Sequence, residues 1–197
     1  MTRTAFDRLL DSARVAHGDR AALARFCPFP DDLAPQTVTP FSTPPAAAVA
    51  ADTTIAACHD PLARAFVDAA PLAMWRETYK GTDIGQDFHD RFGCYCLIGS
   101  GGAWASNKMA AYFVYMPPGM WYPFHHHPAE ELYLVLAGGA EFLKSGDKTR
   151  WLTAGETVFH ASSQPHATRT LDAPLLAYVL WRNEFGIKPL LTRNGDI

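Results

Sequence analysis

The chain has 197 residues, enough for one substantial domain or for a domain with an extension. An apolar fraction of 48% excludes a disordered chain, and a net charge of −3 offers no electrostatic basis for binding nucleic acid or an anionic membrane. The opening MTRTAFDRLLDSARV carries charges where a signal peptide is apolar, and no run reaches the ~20 apolar residues of a membrane span. With only four cysteines, too few for a disulfide scaffold, the expectation is a cytoplasmic protein whose partner is a small molecule.

Phe6, Leu9, Leu10 and Ala13 follow the i, i+3, i+4, i+7 rule and predict an amphipathic helix near the start. Cys27 to Pro45 is proline-rich, which excludes regular helix and predicts an extended connector. Asp60 followed by Pro61 reads as an N-cap with proline at the first helical position, and Ala63, Phe66, Val67 and Ala70 supply that helix's apolar face. A shorter helix is expected over 83–92, with Ile84, Phe88 and Phe92 inward. From Gly93 the texture changes to short β-runs: CYCLIG, AAYFVYM, ELYLVLAG, AEFLKSG, ETVFHA and LLAYVLWR. Gly138-Gly139 and Ser145-Gly146-Asp147 read as hairpin turns. This predicts a helical extension over 1–92 packed on an antiparallel sandwich or barrel over 93–197. Cys94 and Cys96 share a strand face and are expected to be buried thiols.

One pattern carries chemistry. Gly119 is followed after five residues by His125, then by His127, Glu131 and Gly138; further on, Gly155 is followed after ten residues by His166. Three imidazoles and a carboxylate suit one divalent transition metal, with Fe, Zn, Mn, Co and Ni all acceptable. Side chains alternate along a strand, so the odd-numbered His125, His127, Glu131, Tyr133 and Val135 share one face, while Leu132, Leu134 and Leu136 take the other, packed face. His126 is expected on the opposite side, and His160, between the two motifs, reads as structural. His17, His59 and His89 fall in the helical part and receive no role.

GMWYPFHHHPAEELYLVLAG matches the first cupin motif, G-x5-H-x-H-x3-E-x6-G, at every fixed position. GETVFHASSQPHATRT resembles the second motif at Gly155 and His166, with Ala161, Ser163 and Thr170 where that pattern has Pro, Gly and Asn. The cupin resemblance covers roughly 93–190 and implies a mainly β fold, a small double-stranded β-helix or jelly-roll barrel, with an α-helical N-terminal extension. In local detail the chain resembles the cupin-type dimethylsulfoniopropionate (DMSP) lyases, particularly the DddQ group. The features are Tyr122 before the histidines, Tyr133 after the glutamate, Trp181 on the last long β-run and the WRETY segment at 75–79. The resemblance implies that the two tyrosines line the site, that both Tyr133 and Tyr122 are catalytic and that Tyr133 is the base.

The chemistry of such a reaction is consistent with the residues. DMSP carries a carboxylate and a sulfonium, and its cleavage to dimethyl sulfide and acrylate is a β-elimination needing removal of a weakly acidic proton beside the carboxylate. A metal on that carboxylate stabilises the developing charge, and a neighbouring tyrosine becomes accessible as phenolate. The sulfonium needs an aromatic wall, with about 0.5–2 kcal/mol per cation–π contact; Tyr122, Trp181, Trp121 and Tyr178 are the candidates. The expected partner is a small zwitterionic or carboxylate substrate, and the expected state a monomer or homodimer. Two other readings share the ligand set: a cupin dioxygenase with a three-His, one-Glu iron site, and a non-catalytic small-molecule-binding cupin.

Overall fold

The computed structural model describes residues 2–193. Helix α1 (Thr2–Asp19) buries Phe6, Leu9, Leu10 and Ala13 and extends the same stripe through Ala16 and His17. A short α2 (Ala21–Phe26) follows, and the next segment is extended up to Thr43, including β1 (Ala34–Pro35). The last prolines of the proline-rich stretch do not exclude helix as expected. Pro44 and Pro45 open α3 (Pro44–Ala51), because a first helical turn has no use for the N–H that proline lacks. Asp52 then caps α4 (Thr53–Ala56), accepting from the N–H of Thr54 and Ile55.

The Asp60 carboxylate accepts from Leu62 N at 2.8 Å and Ala63 N at 3.3 Å, capping α5 (Pro61–Ala69). Its buried face carries Ala63 and Phe66, with Phe66 stacked on Tyr95 at 5.0 Å. The next helix, α6 (Gln86–Arg91), is shorter than expected: Gly85, at φ +95°, is its N-cap, so Ile84 lies outside it, half-buried, while Phe88 and Phe92 are buried. No helix among the described residues is long and apolar enough to cross a membrane.

The second half is β-structure: β2 (Gly93–Ile98), β3 (Trp104–Ala105), β4 (Ala110–Met116), β5 (Trp121–His126), β6 (Glu130–Lys144), β7 (Arg150–Thr153), β8 (Thr157–His160), β9 (His166–Arg169), β10 (Leu175–Arg182) and β11 (Leu190–Leu191). Strand β6 organises the barrel. Its first half pairs with β10 on one side and β8 on the other; its second half pairs with β7 and β9. One long strand thus passes from one sheet of the barrel into the other.

The crossing point is Gly138-Gly139, where the sequence predicts a hairpin turn and the structure has continuous strand. Gly138 sits at φ +69°, and a Cβ there would meet the Pro174 carbonyl oxygen at 1.7 Å. The glycine therefore serves a bend between packed strands, beside a register shift in the β6–β10 pairing. The expected turn at Ser145-Gly146-Asp147 is present: Asp147 N donates to Lys144 O at 3.1 Å, with Gly146 at φ +83°.

Alternation along β6 and β10 divides the core in two. Leu132, Leu134 and Leu136, with Leu176, Tyr178 and Leu180, face outward under the helices; Tyr133 and Val135, with Ala177, Val179 and Trp181, face the lumen. Each buried leucine contributes about 1.5–3 kcal/mol. The outer face binds the helices to the sheet, which leaves the lumen free for polar groups. Strain and clash at the bend predict that Gly138→Ala costs about 3 kcal/mol and lowers the melting temperature by roughly 6–12 °C. A calorimetric scan within a degree of the wild type would show that the bend does not require glycine.

Candidate metal centre

Strand register builds the site. On β5 and β9, His125 and His166 are directly paired. On the other sheet Glu131 of β6 is flanked by His160 of β8 and by Trp181 of β10. His127 comes from the short connection between β5 and β6. The parity expected from sequence survives the break at Pro128: His125, His127, Glu131 and His166 are all buried and meet in the lumen. His126 points away, its Nδ1 2.9 Å from Thr192 Oγ1.

Backbone carbonyls set the tautomer of each converging imidazole. His125 Nδ1 lies 2.9 Å from Pro123 O, His127 Nδ1 2.9 Å from Ala129 O and His166 Nδ1 2.8 Å from Gln164 O. A carbonyl can only accept, so each Nδ1 carries the proton and each Nε2 presents a lone pair. The potential ligand atoms of these histidines lie within 4.8 Å of one another, and His127 Nε2 and His166 Nε2 are buried without a hydrogen-bond partner. His166 Nε2 also lies 3.1 Å from Glu131 Oε2. Two lone-pair atoms at that distance repel unless a cation or a proton lies between them. The donor set fits a divalent metal ion. Burial, then the neighbouring charge of His166, pushes His125 well below its ordinary pKa, which keeps it neutral as a ligand must be.

The carboxylate is held at both oxygens. Trp181 Nε1 donates to Oε1 at 2.6 Å, and His160 Nδ1 donates to Oε2 at 2.7 Å. Burial pushes the Glu131 carboxyl up. The neighbouring imidazoles, His127 first and then His160 and His166, outweigh it and hold the group well below the usual range. His160 is thus no bystander between the motifs. It stacks on His166 at 4.0 Å and is fully buried; burial and the charge of His166 lower its pKa to about 4. Its place opposite Glu131 follows from β6–β8 register, for which its position in sequence gave no signal.

The remaining second-motif departures are accommodated locally. Ser163, where the pattern has glycine, takes φ +57°. Thr170, where it has asparagine, accepts from Met120 N at 2.8 Å and donates to Pro117 O at 2.6 Å.

A cavity of about 310 Å³ opens onto His125 and Glu131 and is lined by Tyr122, Tyr133 and Trp181. Tyr122 stacks flat on His125, with ring centroids 3.9 Å apart, and its hydroxyl lies 3.0 Å from that of Tyr79. Phe88 and Phe92 press on Tyr122 from behind at 5.4 and 4.7 Å. Tyr79 adopts φ +65°, a left-handed conformation unusual for a bulky residue; its role was not visible in the sequence beyond its place in WRETY. Tyr133 shares the lumen face with Glu131. Burial first, then the charge of Glu131, pushes its phenol well above the ordinary value. Cys94 also lines the cavity, its thiol pushed up to about 11 by burial, while Cys96 is buried on β2 opposite Tyr112 of β4; all four cysteines are free.

Two expected site residues lie elsewhere. Tyr178 is on the outer face of β10, buried against Phe113 and His17, because even positions of that strand face the helices. Trp121 is 43% exposed at the start of β5 and borders a separate groove, edge-on to Phe124.

Comparison with known proteins gives a consistent result. The family model for dimethylsulfoniopropionate lyase matches residues 17–177. The chain is 52% identical to the dimethylsulfoniopropionate lyase DddQ of Ruegeria pomeroyi, over 98% of this chain and 97% of that protein. The crystal structure of that organism's DddQ superposes with a TM-score of 0.93 at 50% identity, covering 96% of each chain. A second structure, of the DMSP lyases RdDddP and RnDddQII, gives a TM-score of 0.92 at 33% identity, covering 98% of this chain and 100% of that one.

The two donors to Glu131 can be tested separately. His160→Ala and Trp181→Phe each leave one carboxylate oxygen unheld, and each is expected to weaken metal affinity about 10–100-fold in chelator competition. Wild-type affinity in both variants would show that the carboxylate does not need these donors.

Proposed function

The chain belongs to the dimethylsulfoniopropionate lyase family, and from that premise we propose that it cleaves dimethylsulfoniopropionate to dimethyl sulfide and acrylate, with Tyr133 as the base. His125, His127, His166 and Glu131 would hold the metal, and Fe, Zn, Mn, Co and Ni all suit these donors. When bound, such an ion supplies Lewis acidity to the substrate carboxylate and the positive charge that makes a nearby phenolate accessible.

The observation that carries the reading is Tyr133. It stands two residues from Glu131 on the same strand face, lines the cavity, and its hydroxyl makes no hydrogen bond among the described residues. As the phenolate that the ion's positive charge would make accessible, an oxygen left unbonded beside the ligands is free to take a proton. It removes the proton from the carbon next to the carboxylate; that electron pair forms the double bond as the carbon–sulfur bond breaks. Dimethyl sulfide leaves as a neutral molecule and needs no acid. Tyr122 serves differently. Its ring immobilises His125, and its hydroxyl is engaged by Tyr79. Trp181 joins the aromatic wall for the sulfonium while its Nε1–H holds Glu131. The four free cysteines support a reducing, cytoplasmic setting.

Purified protein given DMSP should release dimethyl sulfide, read in headspace gas. Chelation should stop the release and metal restoration recover it. Tyr133→Phe should lower the rate at least about 100-fold with metal content unchanged. No release with any of Fe, Mn, Co, Ni or Zn restored would sink the lyase assignment, and undiminished release from Tyr133→Phe would remove Tyr133 as base.

A further inference from the structure

Several polar groups that line the cavity are not used by the ligand cluster. Arg76 lies between α5 and α6, its backbone N–H bonded to Cys94 O at 2.8 Å, and its side chain lines the same cavity as Glu131 and Tyr133. A guanidinium has five N–H donors. Among the described residues this one makes a single hydrogen bond, from Nη1 to Ser100 O at 3.2 Å, and has no carboxylate partner. Its Cζ stands 5.3 Å from the centroid of Tyr112. Tyr112 meets Trp181 edge-on at 5.3 Å, and Trp181 lies 4.1 Å from His127. Two aromatic rings therefore separate the cation from the ligand cluster.

Thr78, two residues further on, also lines the cavity, and its buried hydroxyl has no hydrogen-bond partner. Lys188 adds a second cation to the lining, and Glu131 is the sole carboxylate there among the described residues. Glu131 is already held by His160 and Trp181. The cavity lining beyond the ligand cluster thus combines positive charge, unspent guanidinium donors and an orphan hydroxyl. Like charge disfavours a sulfonium beside Arg76, whereas a carboxylate can accept from the guanidinium fork and from the hydroxyl together.

We propose that Arg76 and Thr78 form a carboxylate subsite in the same pocket, separate from the ligand cluster, which receives the substrate's carboxylate before it reaches the ligand cluster and the acrylate carboxylate as it leaves. The proposal rests on the lyase reading for the identity of those carboxylates. The subsite orients a zwitterion on arrival, carboxylate first, and contributes to capture rather than to bond cleavage.

The test uses the metal-loaded, full-length protein. Arg76→Gln should raise both KM for DMSP and the inhibition constant of acrylate about tenfold, with kcat and metal content within about twofold of wild type. Added salt should lower wild-type kcat/KM, and the slope should flatten in Arg76→Gln. Arg76→Lys, which keeps the charge and the aliphatic stem, should show a smaller rise in KM and retain the salt dependence; if Arg76→Gln does not fold, that variant decides. Should the protein release no dimethyl sulfide, calorimetric titration with acrylate still answers: a dissociation constant about tenfold weaker in Arg76→Gln supports the subsite independently of the lyase reading. Unchanged KM and acrylate affinity on loss of Arg76, or a fall in kcat and metal content along with them, overturns it.

Discussion

A carboxylate buried in the lumen of a β-barrel must be compensated, and this constraint organises the molecule. Glu131 is 2% exposed, in a compartment walled by Tyr133, Val135 and Trp181. An ionised group there is costly unless paired and hydrogen-bonded. The compensation comes from neighbouring strands: His160 from β8, Trp181 from β10, and the imidazoles that converge on the same point. Because all these partners are cross-strand neighbours, the electrostatics of the site depend on register. A one-residue slip of β6 would put Glu130 or Leu132 in the place of Glu131 and turn the leucine face into the lumen. The adjacent pair opposes such a slip: Arg182 grips both oxygens of Glu130 at 2.9 and 3.2 Å and also donates to Phe26 O in α2.

The same alternation that places Glu131 in the lumen places Leu132, Leu134 and Leu136 under the helices. The N-terminal half thereby covers an apolar sheet face that would otherwise be wet. It also reaches around the edge of the barrel into the site. Tyr79, Arg76 and Thr78 come from the stretch after α5, and Phe88 and Phe92 of the α6 region fix the ring that stacks on His125. The ligands and most of the pocket wall belong to the barrel half, and the extension adds Gln36, Arg76, Thr78 and Phe92 to that wall.

Much of this is legible in the sequence. Ligand spacing and strand parity brought His125, His127, Glu131 and His166 to one face, because period-two alternation is local and robust. Residues whose importance depends on what lies opposite were not legible. His160 is separated from Glu131 by 29 positions and acts through a register pairing. Tyr178 looked like a wall residue until β10 was placed with its even positions outward. Gly138-Gly139 reads locally as a turn; only the Pro174 carbonyl packed against it shows that the chain continues straight on into the second sheet.

The sequence by itself determined the donor types, their shared face, the helical caps at Asp60 and the change from helix to strand near Gly93. These are properties of residues a few positions apart, where backbone geometry alone sets the relation. The tertiary structure decided which strand lies beside which, and hence which atoms hold the carboxylate, which tyrosine keeps a free hydroxyl and where an unpaired arginine meets the cavity. Those relations arise from long-range pairing and packing, whose register no short stretch of the chain contains.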